Sequence, residues 1–175
     1  MTPPVLVPDA GPLITLAYAG RLDLLLRPGW PVHVVDMVRF EVTRNQTSTS
    51  DAIASFIDKQ RLSVVATEVC RRYQQRLVDA QTGNNPPPRK AGLGELAIQE
   101  YMIRLGLEDI PAPAVLLFED HKIARGGFHL PDNVRRVSTR AFLLFLEEKG
   151  WIPSADDIEC EAVRNGRRFS RIRFP

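Results

Sequence analysis

Short aliphatic runs alternate along the chain with longer segments whose apolar residues recur every three or four positions, the repeats of strand and helix respectively. Val5-Leu6-Val7 is a strand stopped at Pro8-Asp9, and from Pro12 the residues Leu13, Leu16, Ala17 and Leu24 recur at turn spacing. Val32 to Val35 is a second strand, with Asp36 placed to cap a helix over 37–43. A polar loop leads to a helix over 51–60, a third strand over 62–66 and a helix over 68–80. The break Gly83-Asn84-Asn85-Pro86-Pro87-Pro88 precedes a helix over 93–105, the strand 114–118 and a short helical turn reaching Arg125. The strand 134–137 is followed by a helix capped at Ser138 or Thr139, which places Phe142, Leu143, Phe145 and Leu146 inward and stops at Gly150. Such alternation implies βαβ units, an α/β fold and a parallel sheet with helices on both faces.

At 175 residues, 44% hydrophobic, the chain is sized for one core and needs no metal or disulfide staple. Cys70 and Cys160 stand ninety positions apart with no CxxC or Cys/His cluster, which suggests neither a zinc site nor a disulfide framework and suits a reducing compartment. No stretch has the length of a membrane span or the shape of a secretory leader, so a cytoplasmic location is expected. A net charge of +2 is no argument for nucleic acid; only local clusters can be.

Ligands of open parallel sheets bind outside the carboxyl ends of the strands. Acids stand there: Asp9 after the first strand, Glu41 on the helix after the second, and Glu119 and Asp120 after the strand 114–118. Glu95 adds a fifth, in the first turn of the helix opened by Gly92-Leu93-Gly94. Each has an ordinary reading, Asp9 and Asp120 as helix caps, Glu41 as a solvated helix residue, Glu95 as a complement to the helix dipole. Together they would repel, each pair by about 4 kcal/mol at ~4 Å and an effective dielectric near ~20, so a cation must sit between them. Oxygen-only ligands favour Mg²⁺ or Mn²⁺.

At VLVPDAGPLITLAYAGRLDLL, VVDMVRFEVTR, AGLGELAIQEY and AVLLFEDHKIAR the sequence resembles the PIN-domain ribonucleases, including the toxin subunits of VapBC-type toxin–antitoxin pairs. The resemblance covers about residues 4 to 150. It implies a PIN-like three-layer α/β/α domain over 1–152 with a central parallel sheet of four to five strands, and a basic C-terminal extension over 153–175 packed on or beside it. It implies further that Asp9, Glu41, Glu95 and Asp120 hold one or two Mg²⁺ or Mn²⁺ ions and hydrolyse RNA phosphodiesters, in a cytoplasmic homodimer partnered by a small antitoxin. Ala10 and Gly11 replace the Ser, Thr or Asn that many relatives carry after the first Asp; Thr15 is a possible substitute, though a hydroxyl turned to solvent or to its own helix fits it better. Glu119 is read as an auxiliary or exposed acid.

Arginines and lysines cluster at Arg71, Arg72, Arg76, Arg89 and Lys90, at Lys122 and Arg125, and at Arg164, Arg167, Arg168, Arg171 and Arg173. They suit a groove for an RNA backbone, or simple solvation, with Asp156, Asp157, Glu159 and Glu161 as possible partners for the tail. Phe169, Ile172 and Phe174 fit a packing strand, a base-stacking surface or a partner contact. His121 beside Asp120 reads as an ordinary hydrogen-bonding histidine more readily than as an acid/base group; His33 and His129 are scattered. A PIN-fold RNA- or protein-binding module with a weakened site is the alternative function. A receiver-like phosphoryl-transfer domain using Asp9, Asp120 and Lys122 lacks any P-loop, DxDxT or GxSxG motif.

Overall fold

Five parallel strands and seven α-helices alternate among the residues that the computed structural model describes, which are 2–83, 86–108, 112–119 and 130–168. Strands β1 (Val5–Pro8), β4 (Ala114–Phe118) and β5 (Val134–Ser138) form a sheet in the order β1-β4-β5, while β2 (His33–Val35) pairs with β3 (Ser63–Val65). The α/β class holds. The single sheet of four to five strands is corrected to a ladder of three and a ladder of two, joined by one parallel bridge between Leu6 and Val32. Proline marks the seam: Pro31 has no N–H to donate and contributes only its carbonyl, which accepts from the Leu6 N–H at 2.8 Å. All four residues of β1 are buried, as a parallel strand covered on both faces requires.

Helix α1 (Ala10–Tyr18) buries Leu13 and Leu16. The apolar rhythm continues to Leu24, but the chain turns at Gly20, with φ +65°, and Leu22–Leu26 forms a separate 3₁₀ helix. Helix α2 (Asp36–Thr43) starts where β2 ends. Asp36 is not the cap expected but the first residue of the helix, with Val35 at the N-cap position; its Oδ1 accepts from the Met37 N–H and the Thr67 hydroxyl, both at 2.7 Å, and Oδ2 from the Thr67 N–H at 2.8 Å. That ties α2 to the start of α4 (Glu68–Thr82). Helix α3 (Ser48–Lys59) lies between α2 and β3 in sequence and packs on α1 and α2.

Helix α5 (Leu93–Gly106) opens at Gly92, whose φ of +78° suits glycine. Ser138 caps α6 (Thr139–Glu148) through its hydroxyl, which accepts from the Ala141 N–H at 3.1 Å. Phe142, Leu143 and Leu146 are buried beneath α6, while half-buried Phe145 stacks on Trp30 with ring centres 5.9 Å apart. Beyond Ile152 the chain forms α7 (Ala155–Arg164), which buries Ala155, Ile158 and Ala162 and packs on α1 and α6. Among the described residues no helix is long and apolar enough to cross a membrane.

Candidate active site

Parallel pairing brings the carboxyl ends of β1, β4 and β5 to one edge. Asp9 is the first residue past β1, its N–H donating to the Leu117 carbonyl at 2.9 Å. It occupies the N-cap position of α1, yet its carboxylate accepts no hydrogen bond from the first turn, which removes helix capping as its role. Only 9% of the residue is exposed.

Glu41 lies on α2, half-buried, with its carboxylate against Gly94 near the start of α5. A Cβ at position 94 would come within 2.7 Å of Glu41 Oε2, so the glycine makes room for the acid. The Gly94 N–H, one of the donors a helix leaves unused in its first turn, donates to that carboxylate. Burial is the largest influence on Glu41 and raises its pKa; the Gly94 hydrogen bond and Arg44 oppose the rise, and the charge of Glu95 adds to it. Glu95 stands half-buried in the first turn of α5.

A cleft of about 1350 Å³ gathers Asp9, Glu41, Glu95 and Glu119. Three of the four acids singled out by sequence therefore share one cavity. The fourth, Asp120, lies outside the described residues, as do His121, Lys122, Arg125 and the short helical turn expected there. Among the described residues no three His, Cys, Asp or Glu side chains form a group able to hold a metal ion by themselves.

The same cleft is lined by Arg140 of α6 and by Arg164, Arg167 and Arg168 at the end of α7, with Leu144 and Val163 exposed beside them. The basic cluster preceding α5 is corrected: none of the described residues from 70 to 90 lines the cleft. Arg71 and Arg72 are instead drawn to Glu68 on their own helix, at 2.5 and 2.9 Å, and these two hydrogen bonds hold the Glu68 carboxyl down at about 2. The acids of α7 were possible partners for the tail arginines, but Asp156 and Glu159 pair with Arg140, and only Glu161 reaches Arg164, at 3.6 Å. Phe169, Arg171, Ile172, Arg173 and Phe174 lie outside the described residues.

Glu119 is not an exposed acid. Its side chain is 15% accessible and pressed against Gly11, where a Cβ would meet the Glu119 Cβ at 2.9 Å. Oε2 accepts from the Arg167 guanidinium at 2.6 Å, and Arg167 Nε donates to the hydroxyl of fully buried Thr15 at 2.7 Å. Thr15 thus serves neither solvent nor its own helix backbone; it anchors an arginine from 152 positions away. Ala10-Gly11 falls into place with it: a side chain at position 11 would displace Glu119. The partnership was not readable in sequence, where Arg167 is one of several tail cations with no local acid to identify it.

No family model and no curated protein matches the chain. Among solved structures, it is similar to the PIN domain of T. brucei RRP44, with 14% identity, a TM-score of 0.49 and coverage of 86% of this chain and 84% of that one. It is also similar to VapBC2 from Rickettsia felis, solved bound to a DNA fragment from their promoter, with 12% identity, a TM-score of 0.39 and coverage of 77% of this chain and 98% of that one.

Proposed function

We propose that the chain is a metal-dependent endoribonuclease, the toxin of a VapBC-like pair, acting in the cytoplasm as a homodimer with a small antitoxin as partner. The observation that carries the nuclease reading is the gathering of Asp9, Glu41 and Glu95 in one cleft, acids brought from residues far apart in the chain. Glu41 is held in a place where its charge is disfavoured. A protein retains such groups at a cost to its stability when a site requires them.

The donor set is oxygen only, which suits Mg²⁺ or Mn²⁺. Asp9, Glu41, Glu95 and Asp120 would hold it. When bound, the ion supplies positive charge near the scissile phosphate and lowers the pKa of a water. The chain's own contribution is placement. Gly94 donates to the Glu41 carboxylate and leaves space beside it, and the strand end fixes the backbone of Asp9 through Leu117.

The test is cleavage of a labelled RNA in Mn²⁺ or Mg²⁺, against EDTA, by the parent and by Glu41→Gln and Asp9→Asn, with circular dichroism to verify folding. Loss of cleavage in each folded variant and in EDTA is the expected result. Folded variants that cut as fast as the parent would refute the assignment.

A further inference from the structure

We infer that Arg164 and Arg168 form a subsite for the phosphodiester backbone flanking the scissile bond, an inference that rests on the nuclease reading above. Four arginines line the cleft, but two are committed. Arg140 is engaged by Asp156 and Glu159, and Arg167 by Glu119 and Thr15. Among the described residues Arg164 pairs with Glu161 alone, at 3.6 Å, with side chains 76% and 47% exposed, the kind of pair that a phosphate readily replaces. Arg168 is exposed on the same cleft.

The backbone from Arg164 to Arg167 is held by a hydrogen-bonded turn. At the end of α7 the Gly166 N–H donates to the Val163 carbonyl at 3.0 Å and the Arg167 N–H to the Ala162 carbonyl at 2.9 Å, the paired bonds of a helix-terminating Schellman turn. Gly166 supplies the positive φ, +104°, that this turn requires. Asn165 fastens the turn to α1 by donating from Nδ2 to the Tyr18 carbonyl at 2.8 Å. Arg167 thereby turns inward to Glu119 and Thr15, and Arg164 and Arg168 flank it on the cleft. The apolar surfaces of Leu144 and Val163, 46% and 52% exposed in the same cleft, offer contact to ribose or base.

A helix-end arginine also complements the dipole of its helix, so the test reads phosphate contacts directly. A fluorescein-labelled single-stranded oligouridylate is titrated by fluorescence anisotropy against Glu41→Gln protein in EDTA at several salt concentrations, and cleavage by the parent is assayed in parallel. Arg164→Gln and Arg168→Gln are each expected to flatten the slope of log affinity on log salt by about 0.7, and the pair to weaken binding on the order of tenfold. Lys59→Gln, exposed on α3 away from the cleft, should leave slope and cleavage unchanged. Slopes that stay at the parent value while the parent binds and cuts RNA would overturn the subsite alone. A parent that neither binds nor cuts RNA would overturn subsite and nuclease reading together.

Discussion

Arg167 reaches Glu119 across 48 positions and meets its Oε2 at 2.6 Å, joining the end of α7 to the residue that follows β4. The two side chains are 18% and 15% exposed, and Glu119 Oε1 is buried without a hydrogen-bond donor among the described residues. Removing the guanidinium would leave a mostly buried carboxylate with neither oxygen satisfied by it. Loss of one partner from a fully buried pair costs about 3–5 kcal/mol, and the residual exposure here lowers the figure to about 2–3 kcal/mol for Arg167→Ala. Urea unfolding of Arg167→Ala, Glu119→Gln and the double variant should show the double losing less than the sum of the singles. Strict additivity would mean that the contact carries no coupling energy.

Gly94→Ala should separate activity from stability. The added Cβ lands 2.7 Å from Glu41 Oε2, the mobile end of a side chain, so the acid is pushed aside while the backbone stays. Alanine inside a helix is favoured over glycine by about 0.5–1 kcal/mol. Unfolding should therefore show unchanged or higher stability, while RNA cleavage falls on the order of a hundredfold, the penalty of misplacing a reacting group by about 1 Å. Unaltered cleavage by the folded variant would show that the position of Glu41 is unimportant.

Glu41 itself should be a destabilising residue in metal-free protein. Its pKa is raised in the fold, chiefly by burial, so protonation favours the folded state. That contribution is fully present below the ordinary value of 4.5 and is lost as pH rises through the folded value, leaving a charged, disfavoured carboxylate at neutral pH. Glu41→Gln in EDTA is expected to melt higher than the parent at pH 7, with the difference shrinking as pH falls toward 4.5. Calorimetric scans at several pH values would show it. A variant melting lower at pH 7 would contradict the burial argument.

The two cysteines should react very differently. Cys70 is 3% exposed, and burial, reinforced by the charge and hydrogen bond of Asp36, pushes its thiol up to about 11. Cys160 is exposed on the cleft. Thiolate is the reactive species, so iodoacetamide at pH 8 should modify Cys160 and reach Cys70 only after denaturation, as peptide mass mapping would reveal. Equal labelling of both in the native protein would count against the buried environment of Cys70.

Local signals made much of this architecture legible. Val5-Leu6-Val7 before Pro8-Asp9 announces a buried strand and the acid after it, and the Ser138 cap with its inward Phe142, Leu143 and Leu146 announces α6. Parallel topology, which puts strand ends on one edge, accounts for Asp9, while Glu41 and Glu95 line the same cleft from helices α2 and α5. What escaped depends on contacts distant in sequence. The split between the β1 and β2 ladders turns on how β2 meets β1 at Pro31 and Leu6. The choice of Arg167 over its neighbours by Glu119 is a competition among several similar arginines 48 positions away, which spacing along the chain does not resolve; the pairing of Arg71 and Arg72 with Glu68, three and four residues apart on one helix, was legible in that spacing.

His33 gives the protein an acid-sensitive contact remote from the cleft. Its Nδ1 lies 2.5 Å from the Tyr101 hydroxyl, and Arg104 stands over the Tyr101 ring at 5.2 Å. Protonation makes both ring nitrogens donors and places a charge where burial disfavours it, which lowers the pKa of His33 below its ordinary 6.5. The unfolded chain therefore takes up this proton first. The stability associated with neutral His33 is complete above pH 6.5 and is lost as pH falls through the folded value. His33→Gln keeps a polar group at this position but cannot titrate, so its melting temperature should fall less steeply than the parent's between pH 7 and pH 5. Parallel melting curves across that interval would remove His33 from the acid response and leave the decline to the carboxylates.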